Sequence, residues 1–226
     1  MKILTFIAVG CLVATTAFAE MSRDELKRLG DSAVIVNELR DADNGIPEDY
    51  WAKAQCVVVI PSMKKAAFVF GGEYGSGVMS CRQADGWSAP VFMQLAKGSW
   101  GLQIGAEQVD LVLLVLNRRG VDKLLADKVS LGVDASIAAG PVGRSANAAT
   151  DAQLTAEMLA YSRAQGLFAG INLSGGVLRP DKEAIERAYG PAVSATQVIQ
   201  STKPSGEATA FLRALGGNVR STTGRR

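Results

Sequence analysis

The chain has 226 residues, a formal net charge of +2 and 48% hydrophobic residues. Its 24 basic and 22 acidic residues give no general electrostatic signature of nucleic-acid binding. Histidine is absent, so a Ser-His-Asp or Cys-His relay cannot form and the commonest metal ligand is missing. We therefore expect no enzymatic activity, no cofactor and no metal site.

The N-terminus has the features of a removable signal peptide. Lys2 supplies a basic start, Ile3–Val13 is apolar, and Ala17-Phe18-Ala19 fits a cleavage site. The apolar stretch is shorter than the roughly twenty residues that a membrane helix needs. Cleavage as a lipoprotein at Cys11 is an alternative, but we favour cleavage after Ala19. The sequence thus predicts an exported protein that is periplasmic or peripherally associated with a membrane.

Two helices are predicted before the first strand. Ser22-Arg23-Asp24-Glu25 has the spacing of a capping box, and apolar residues recurring at helical spacing predict a helix over Arg23–Leu39. The acidic residues of this helix favour packing on the domain over lying on a membrane surface. Pro47 fits a first helical position, so a short helix is predicted over Pro47–Ala54.

Closely spaced strands follow from Gln55. We predict that Cys56–Ile60 is a strand stopped by Pro61, with Lys64-Lys65 in the turn behind it. Further strands are predicted at Ala66–Gly71, Val78–Arg82, Pro90–Ala96, Trp100–Ala106 and Val109–Asn117. The last of these is almost wholly apolar, so we expect it to be the most buried strand and covered on both faces.

The second half mixes short helices and strands. Helices are predicted at Arg119–Asp127, Asp181–Tyr189 and Ala208–Leu215, strands at Lys128–Val133 and Leu167–Leu173, and a linker at Ser194–Ser205. Leu154–Arg163 is ambiguous from its residues alone, because its composition favours a helix while its apolar residues also alternate. Ten of the seventeen residues of Asp134–Thr150 are Ala, Gly or Ser, which suits close approach of backbones.

Five or six closely spaced strands with short turns are typical of antiparallel architectures. We predict an α+β fold, mainly an antiparallel β sandwich or barrel-like sheet with short flanking helices and an N-terminal helix. One domain should occupy residues 20–216, with N-terminal helices over 22–54, a β-rich core over 55–179 and C-terminal helices over 181–215. Residues 217–226 should form a basic, flexible tail.

Export would leave two cysteines, Cys56 and Cys81, in an oxidising compartment. An even count makes a disulfide possible. Both cysteines also lie in apolar, strand-like stretches, so two buried free thiols are the alternative.

Five stretches, taken in order, resemble the SYLF domain, a lipid-binding module also described as an actin-binding domain in fungal endocytic proteins. They are CVVVIP at 56–61, FGGEYGSGV at 70–78, GWSAPVFMQLAKGSWGLQIGAEQVDLVLLVLN at 86–117, LGVDASIAAGPVGRSANAATDA at 131–152 and YSRAQGLFAGINLSGGVL at 161–178. The resemblance covers roughly Asp24 to Leu215, and the ordered series is far more specific than any single stretch.

The resemblance implies a lipid-binding protein, with phosphoinositide preference in eukaryotic members and an exported, envelope-associated role in bacterial ones. It also implies a strand rather than a helix at Leu154–Ser162. This sequence departs from the eukaryotic pattern in two ways: it lacks the neighbouring targeting domains, and its N-terminal helix is acidic. We therefore expect the actin binding of eukaryotic relatives, and their phosphoinositide binding, to be absent here.

Six cations are candidate contacts for an anionic lipid headgroup: Lys64, Lys65, Arg118, Arg119, Arg144 and Arg163. Solvated lysine or arginine pairs are the alternative for the first four. Arg144 and Arg163 sit in the motifs of the resemblance, and a structural ion pair is the alternative for Arg144. Glycines in FGGEYGSGV fit tightly curved strands better than a phosphate-cradling loop, so we expect no nucleotide.

Two functions remain open. The first is a non-enzymatic module that binds anionic phospholipid or a similar amphiphile, with acyl chains against an apolar sheet face and the headgroup at a cationic rim. The second is a structural envelope protein that binds a protein or peptidoglycan partner through its sheet edges and C-terminal helix.

Overall fold

The computed structural model describes residues 21–42, 45–67, 70–100, 105–142, 155–164 and 167–216. The predicted signal peptide and the predicted basic tail lie outside these residues. The helices are α1 (Arg23–Asp41), α2 (Glu48–Lys53), α3 (Arg118–Leu124), α4 (Lys182–Tyr189), α5 (Ala195–Ser201) and α6 (Thr209–Ala214), with a 3-10 turn at Gly206–Ala208. The strands are β1 (Cys56–Ala67), β2 (Phe70–Gln83), β3 (Gly86–Trp87), β4 (Val91–Trp100), β5 (Gly105–Val115), β6 (Val129–Ser130), β7 (Ile137–Ala139), β8 (Met158–Ala164), β9 (Leu167–Gly170) and β10 (Gly176–Pro180).

These ten strands form one sheet in the order β6-β10-β4-β2-β1-β5-β8-β7, with β3 beside β2 and β9 beside β8. All neighbouring pairs are antiparallel except β7 and β8. The sheet curls into an open half-barrel, so the predicted α+β class is confirmed and the barrel-like alternative describes the architecture better than a sandwich.

The central strand β1 is longer than predicted, because Pro61 does not stop it. A β-bulge falls between Ile60 and Met63, and Pro61 lies inside it. A bulge tolerates proline, since its residues need not donate to the ladder. Ser62 adopts a positive φ of 48°, and its N–H donates to the Asp110 carboxylate over 2.8 Å. The prediction of a turn at Lys64-Lys65 is therefore wrong: both residues lie in β1.

The bulge also explains two glycines of β2. A Cβ at Gly77 would lie 1.9 Å from the carbonyl oxygen of Val59, and one at Gly75 would lie 2.4 Å from the Ile60 side chain. Side chains at these positions would push β2 away from β1. The prediction that glycines permit tight strand packing is confirmed here.

Strand β5 is deeply buried, but it is not the most buried strand as predicted, because Cys56–Ile60 of β1 are each 0% exposed. From Val109 to Val115 its apolar side chains are at most 3% exposed. Its neighbours β1 and β8 pair along most of its length. The predicted strand at Trp100–Ala106 is not continuous: Trp100 ends β4 and Gly105 begins β5, and residues 101–104 lie outside the described ranges.

Helices cover one face of the sheet near one end. Helix α1 begins with the predicted capping box, in which the Ser22 N–H donates to Glu25 over 2.8 Å. Its buried residues face β1, β2 and α6. Ion pairs join α1 to the α4 region, at Arg28 with Asp181 and Glu25 with Arg187. The predicted packing of this helix on the domain is confirmed.

Three local predictions need correction or refinement. Ser194–Ser205 is not a linker, because α5 occupies Ala195–Ser201 behind a second capping box made by Ser194 and Gln197. Strand β10 was not predicted, and the predicted strand at Lys128–Val133 shortens to Val129–Ser130. Of the strand predicted at Leu154–Ser162, the part from Met158 is confirmed as β8, whereas Thr155–Glu157 precede the strand and residue 154 lies outside the described ranges.

Gly140, in the stretch rich in small residues at Asp134–Thr150, contacts Tyr161 of β8 directly. Gly140 lies against the ring of Tyr161, so that a Cβ at position 140 would be 2.0 Å from the ring atom Cζ. Tyr161 is fully buried, and burial raises the pKa of its hydroxyl far above the usual range. Close packing is thus the role of this glycine.

Candidate functional site

The described sheet has two ends that differ in what covers them. At the disulfide end, Cys56 of β1 faces Cys81 of β2 and the two are joined by a disulfide. At the lysine end, Lys64 of β1 faces Tyr74 of β2. Lys64 lies eight residues beyond Cys56, which separates the two ends by roughly 25 Å at about 3.3 Å per residue. The predicted cations whose side chains the structure describes are divided between these ends and do not form one site.

A row of exposed residues crosses the lysine end of the sheet. It lies on the same face of the sheet that α1 covers nearer the disulfide end. Lys64 pairs with Gln108 on one side and with Tyr74 on the other, and Tyr74 pairs with Ala96. All four are exposed. One step toward the helices, Ser76 pairs with Gln94, and Gln94 pairs with Arg179. We call this uncovered surface the platform: Gln108, Lys64, Tyr74, Ala96, Ser76, Gln94 and Arg179.

The platform carries two cations and, among the described side chains, no acid. Arg179 donates from Nε and Nη2 to the Gln94 amide oxygen at 3.2 and 3.0 Å, which holds its guanidinium against the strand. Lys64 makes no ion pair within the described residues. The Tyr74 hydroxyl accepts from Ser76 over 3.3 Å. The surface is therefore weakly basic and rich in hydrogen-bonding groups.

Large apolar side chains are exposed at the same end. Tyr74 is 48% exposed, Leu167 at the start of β9 is 71% exposed, and Val133 beyond β6 is 81% exposed. The pairing of Ala164 with Leu167 and of Arg163 with Asp110 places Leu167 at the lysine end. Val133 follows Leu131, whose N–H donates to Gly176, the partner of Lys97. These are three of the five large hydrophobic residues that are exposed in the described chain.

Arg163, a predicted headgroup contact, is held in internal ion pairs. Its guanidinium lies 2.7 Å from the Asp110 carboxylate and also contacts Glu38 of α1. The side chain is only 23% exposed. Arg163 therefore joins α1 to strands β5 and β8, beside the bulge at Ser62.

Arg118 and Arg119 begin α3 at the disulfide end. Arg118 pairs with Asp122 at 2.9 Å, and Arg119 lies 3.7 Å from Glu157. Both arginines are more than 70% exposed, whereas Glu157 is 4% exposed. Lys123 is the nearer partner of Glu157, at 2.8 Å. The two arginines are thus available to solvent, although each has an acidic neighbour.

The Glu157 carboxylate is an internal anchor. Burial alone would raise its pKa, but hydrogen bonds from Lys123 and from the Ser136 N–H outweigh burial and hold the pKa below its ordinary value. Its backbone carbonyl also accepts from Leu116 at the end of β5. Glu157 thereby joins α3, the segment before β7 and the start of β8.

Two of the predicted contacts have no described side chain. Lys65 pairs through its backbone with Glu73 and Glu107, which places it in β1 beside Lys64. Arg144 lies outside the described residues. Their roles stay predictions.

The structure offers no open apolar sheet face for acyl chains over the residues it describes. Valines of β1 and β5 on the α1 side are at most 1% exposed under the helices, and residues on the opposite face are equally buried. No group of acidic or cysteine side chains suited to a metal ion occurs in the described ranges. None of the helices within them is long and apolar enough to cross a membrane.

A family model described as "Ysc84: Las17-binding protein actin regulator" matches residues 96–217, more than half of the chain. The chain belongs to this family, which is that of the SYLF domain. The predicted resemblance is thereby confirmed. The match includes strands β5, β8 and β9, helix α3 and the buried Glu157.

Relatives extend the match toward the N-terminus. LAS seventeen-binding protein 3 of Saccharomyces cerevisiae is 36% identical over 173 residues, covering 74% of this chain and 37% of the relative. Protein YSC84 of the same yeast is 34% identical over 172 residues, covering 74% and 36%. The human SH3 domain-containing YSC84-like protein 1 is 32% identical over 164 residues, covering 72% and 48%. The chain spans less than half the length of these relatives.

Sequence reasoning found some members of the lysine end and missed others. Lys64 and Tyr74 were visible as a lysine pair and a glycine-rich strand. Arg179, Val133 and Leu167 were not singled out, because strand β10 was not predicted and isolated aliphatic residues carry no signal without their exposure.

Proposed function

We propose that the protein is a non-enzymatic, exported lipid-binding module that docks on anionic phospholipid surfaces through the lysine end of its sheet. The observation that supports this most is that two cations, Lys64 and Arg179, and the exposed side chains of Tyr74, Leu167 and Val133 all lie toward the same end of the sheet. Cations beside exposed aromatic and aliphatic groups suit the boundary between lipid headgroups and acyl chains. The lipid-binding character implied by the SYLF resemblance agrees with this choice.

The proposed mode is peripheral. Because the apolar core residues on the described faces of the sheet are buried, acyl chains have no apolar groove to enter there. Leu167 and Val133 would enter the boundary of the bilayer from the outside, while Lys64 and Arg179 meet phosphate groups at headgroup level. Charged residues near an anionic surface each contribute about 1 kcal/mol, so such binding should weaken as salt rises.

The test is co-sedimentation with vesicles of phosphatidylcholine alone or mixed with phosphatidylglycerol. We expect binding to the mixed vesicles only. Lys64→Gln should lower the affinity about fivefold, as expected for one cation near an anionic surface. Leu167→Ser should lower it at both low and high salt, because burial of apolar area is not screened.

Lys53→Gln is the matched control, since Lys53 is an exposed lysine at the end of α2, near the disulfide end. It should bind like the parent protein. Equal losses in Lys64→Gln and Lys53→Gln would contradict docking through the lysine end. Failure of the folded parent protein to bind either vesicle would contradict lipid binding altogether.

Export is part of the same proposal. Cleavage after Ala19 would give a mature protein that begins at Glu20. N-terminal sequencing of protein recovered from a periplasmic extract tests this, and a mature N-terminus at Cys11 would favour a lipoprotein instead.

A protein partner is the second candidate, because the matching family is described by Las17 binding and actin regulation. Co-sedimentation with filamentous actin tests it directly, although we expect none. Crosslinking in intact cells extends the test to other partners. One dominant protein adduct that survives delipidation would favour this function over lipid docking.

A further inference from the structure

A pocket of about 290 Å³ opens at the disulfide end, away from the platform. Its apolar lining comes from the disulfide itself and from Val121, Leu125 and Ile199. Val121 belongs to α3 and Ile199 to α5, so the pocket lies where these two helices meet the ends of β1 and β2. Cys56, Cys81, Val121 and Ile199 are each at most 8% exposed, which makes this a packed floor.

Two arginines reach the pocket from different elements. Arg82, near the end of β2, donates from Nε to the Ala54 carbonyl at 3.2 Å and from Nη2 to the Trp51 carbonyl at 3.1 Å. Its guanidinium also lies 4.7 Å from the centre of the Trp87 ring. These contacts fix the orientation of Arg82, and no acidic side chain pairs with it in the described part of the chain.

Arg118 supplies the second cation. It is 74% exposed, and its contact is the exposed pair with Asp122. An exposed pair of this kind contributes little, so an anion in the pocket could compete for Arg118 at small cost. The remaining polar lining consists of the amides of Gln55, Gln83 and Gln200, and the lining as described contains no acidic residue.

The combination defines a ligand class. Two arginines in the lining of a pocket with an apolar floor suit a molecule with one anionic group and one short apolar tail. The volume lies near the lower limit of ligand pockets, which span about 300–1,000 Å³, so two long acyl chains would not fit. We infer that this pocket is a second ligand site, for single-tailed anionic amphiphiles, and that it acts independently of the platform.

Isothermal titration calorimetry with octanoate and with octyl phosphate tests the inference, and 1-octanol is the uncharged probe. We expect at least one of the two anions to bind and 1-octanol to bind much more weakly. Arg118→Gln should lower the affinity for the anion about tenfold, as expected for the loss of a charged hydrogen bond. Asp122→Asn should raise it about twofold, because it releases Arg118 from its pair.

Arg119→Gln is the matched control, since Arg119 is the adjacent exposed arginine but does not line the pocket. It should leave the affinity unchanged, and so should Lys64→Gln, which separates this site from lipid docking. Unfolding midpoints should match among these variants. The inference is overturned if neither anion binds, if 1-octanol binds as tightly as the anions, or if Arg118→Gln and Arg119→Gln behave alike.

Discussion

The two ends of the sheet use similar residues for different purposes. At the disulfide end, a covalent bridge, the α3 helix and the buried Glu157 hold the strands together. At the lysine end, the helices no longer cover the sheet, and Lys64, Tyr74 and Leu167 face solvent. Arg163 lies between the covered and the uncovered parts of the sheet, because its guanidinium pairs with Glu38 of α1. The packing around a cation, more than its sequence motif, therefore decides whether the cation can contact a ligand.

Reduction of the disulfide should produce the largest loss of stability. The bridge closes a sequence separation of 25 residues between the first residue of β1 and a residue near the end of β2. A loop of this size corresponds to about 3 kcal/mol of unfolding free energy. Denaturant unfolding with and without dithiothreitol measures the difference. The Cys56→Ala, Cys81→Ala double variant should not respond to dithiothreitol. An equal response in both proteins would mean that the disulfide does not stabilise the fold.

Replacing Glu157 tests the same end without touching the disulfide. Glu157→Gln should cost about 2 kcal/mol at neutral pH, because the buried carboxylate accepts charge-assisted hydrogen bonds that an amide cannot replace. The pKa of Glu157 is lower in the folded protein than in the unfolded chain. Its contribution is therefore complete above the unfolded pKa of about 4.3 and is lost as pH falls through the lower folded pKa.

Urea unfolding of the parent protein and of Glu157→Gln at several pH values checks this. The difference between the two proteins should be greatest near neutrality and should shrink in acid. Asp49→Asn, an exposed carboxylate change on α2, should show neither effect. A difference that stays constant with pH would mean that Glu157 acts through packing alone.

Arg163 and Lys64 provide the smallest and most discriminating contrast. Arg163→Gln should lower stability by about 1 kcal/mol, because its ion pairs with Asp110 and Glu38 are partly exposed to solvent. Lys64→Gln should change stability by less than about 0.5 kcal/mol, as is usual for a surface residue. In vesicle binding the order should reverse. If Arg163→Gln, while still folded, loses more vesicle binding than Lys64→Gln, the internal role assigned to Arg163 is wrong.

Much of the fold could be predicted because its signals are local. The capping box at Ser22, the apolar run of β5 and the proline before α2 each specify an element within a few residues. Pro61 misled the prediction for a physical reason. Proline normally ends a strand, but here the Ser62 N–H donates to Asp110 of the neighbouring strand β5, and β1 continues through the bulge.

The candidate site could be predicted only in part, because the exposure of each cation depends on helices and strands that are distant in the sequence. The sequence identified both Lys64 and Arg163 as headgroup candidates, Lys64 as part of a lysine pair and Arg163 as part of a family motif. Glu38 lies more than a hundred residues from Arg163, and no local pattern connects them. The pocket likewise brings together residues from β1, β2, α3 and α5. Exposure and ion pairing at such places follow from tertiary packing, which spacing along the chain does not encode.

The contact between Gly140 and Tyr161 has a consequence for how this sequence can vary over time. The ring fills the space that any side chain at position 140 would need. A larger residue at 140 is therefore acceptable only in a lineage where position 161 has already become smaller, and neither step is neutral by itself. We therefore expect Gly140 and Tyr161, which are 21 positions apart in the sequence, to change together or not at all, whatever ligand the rest of the molecule comes to bind.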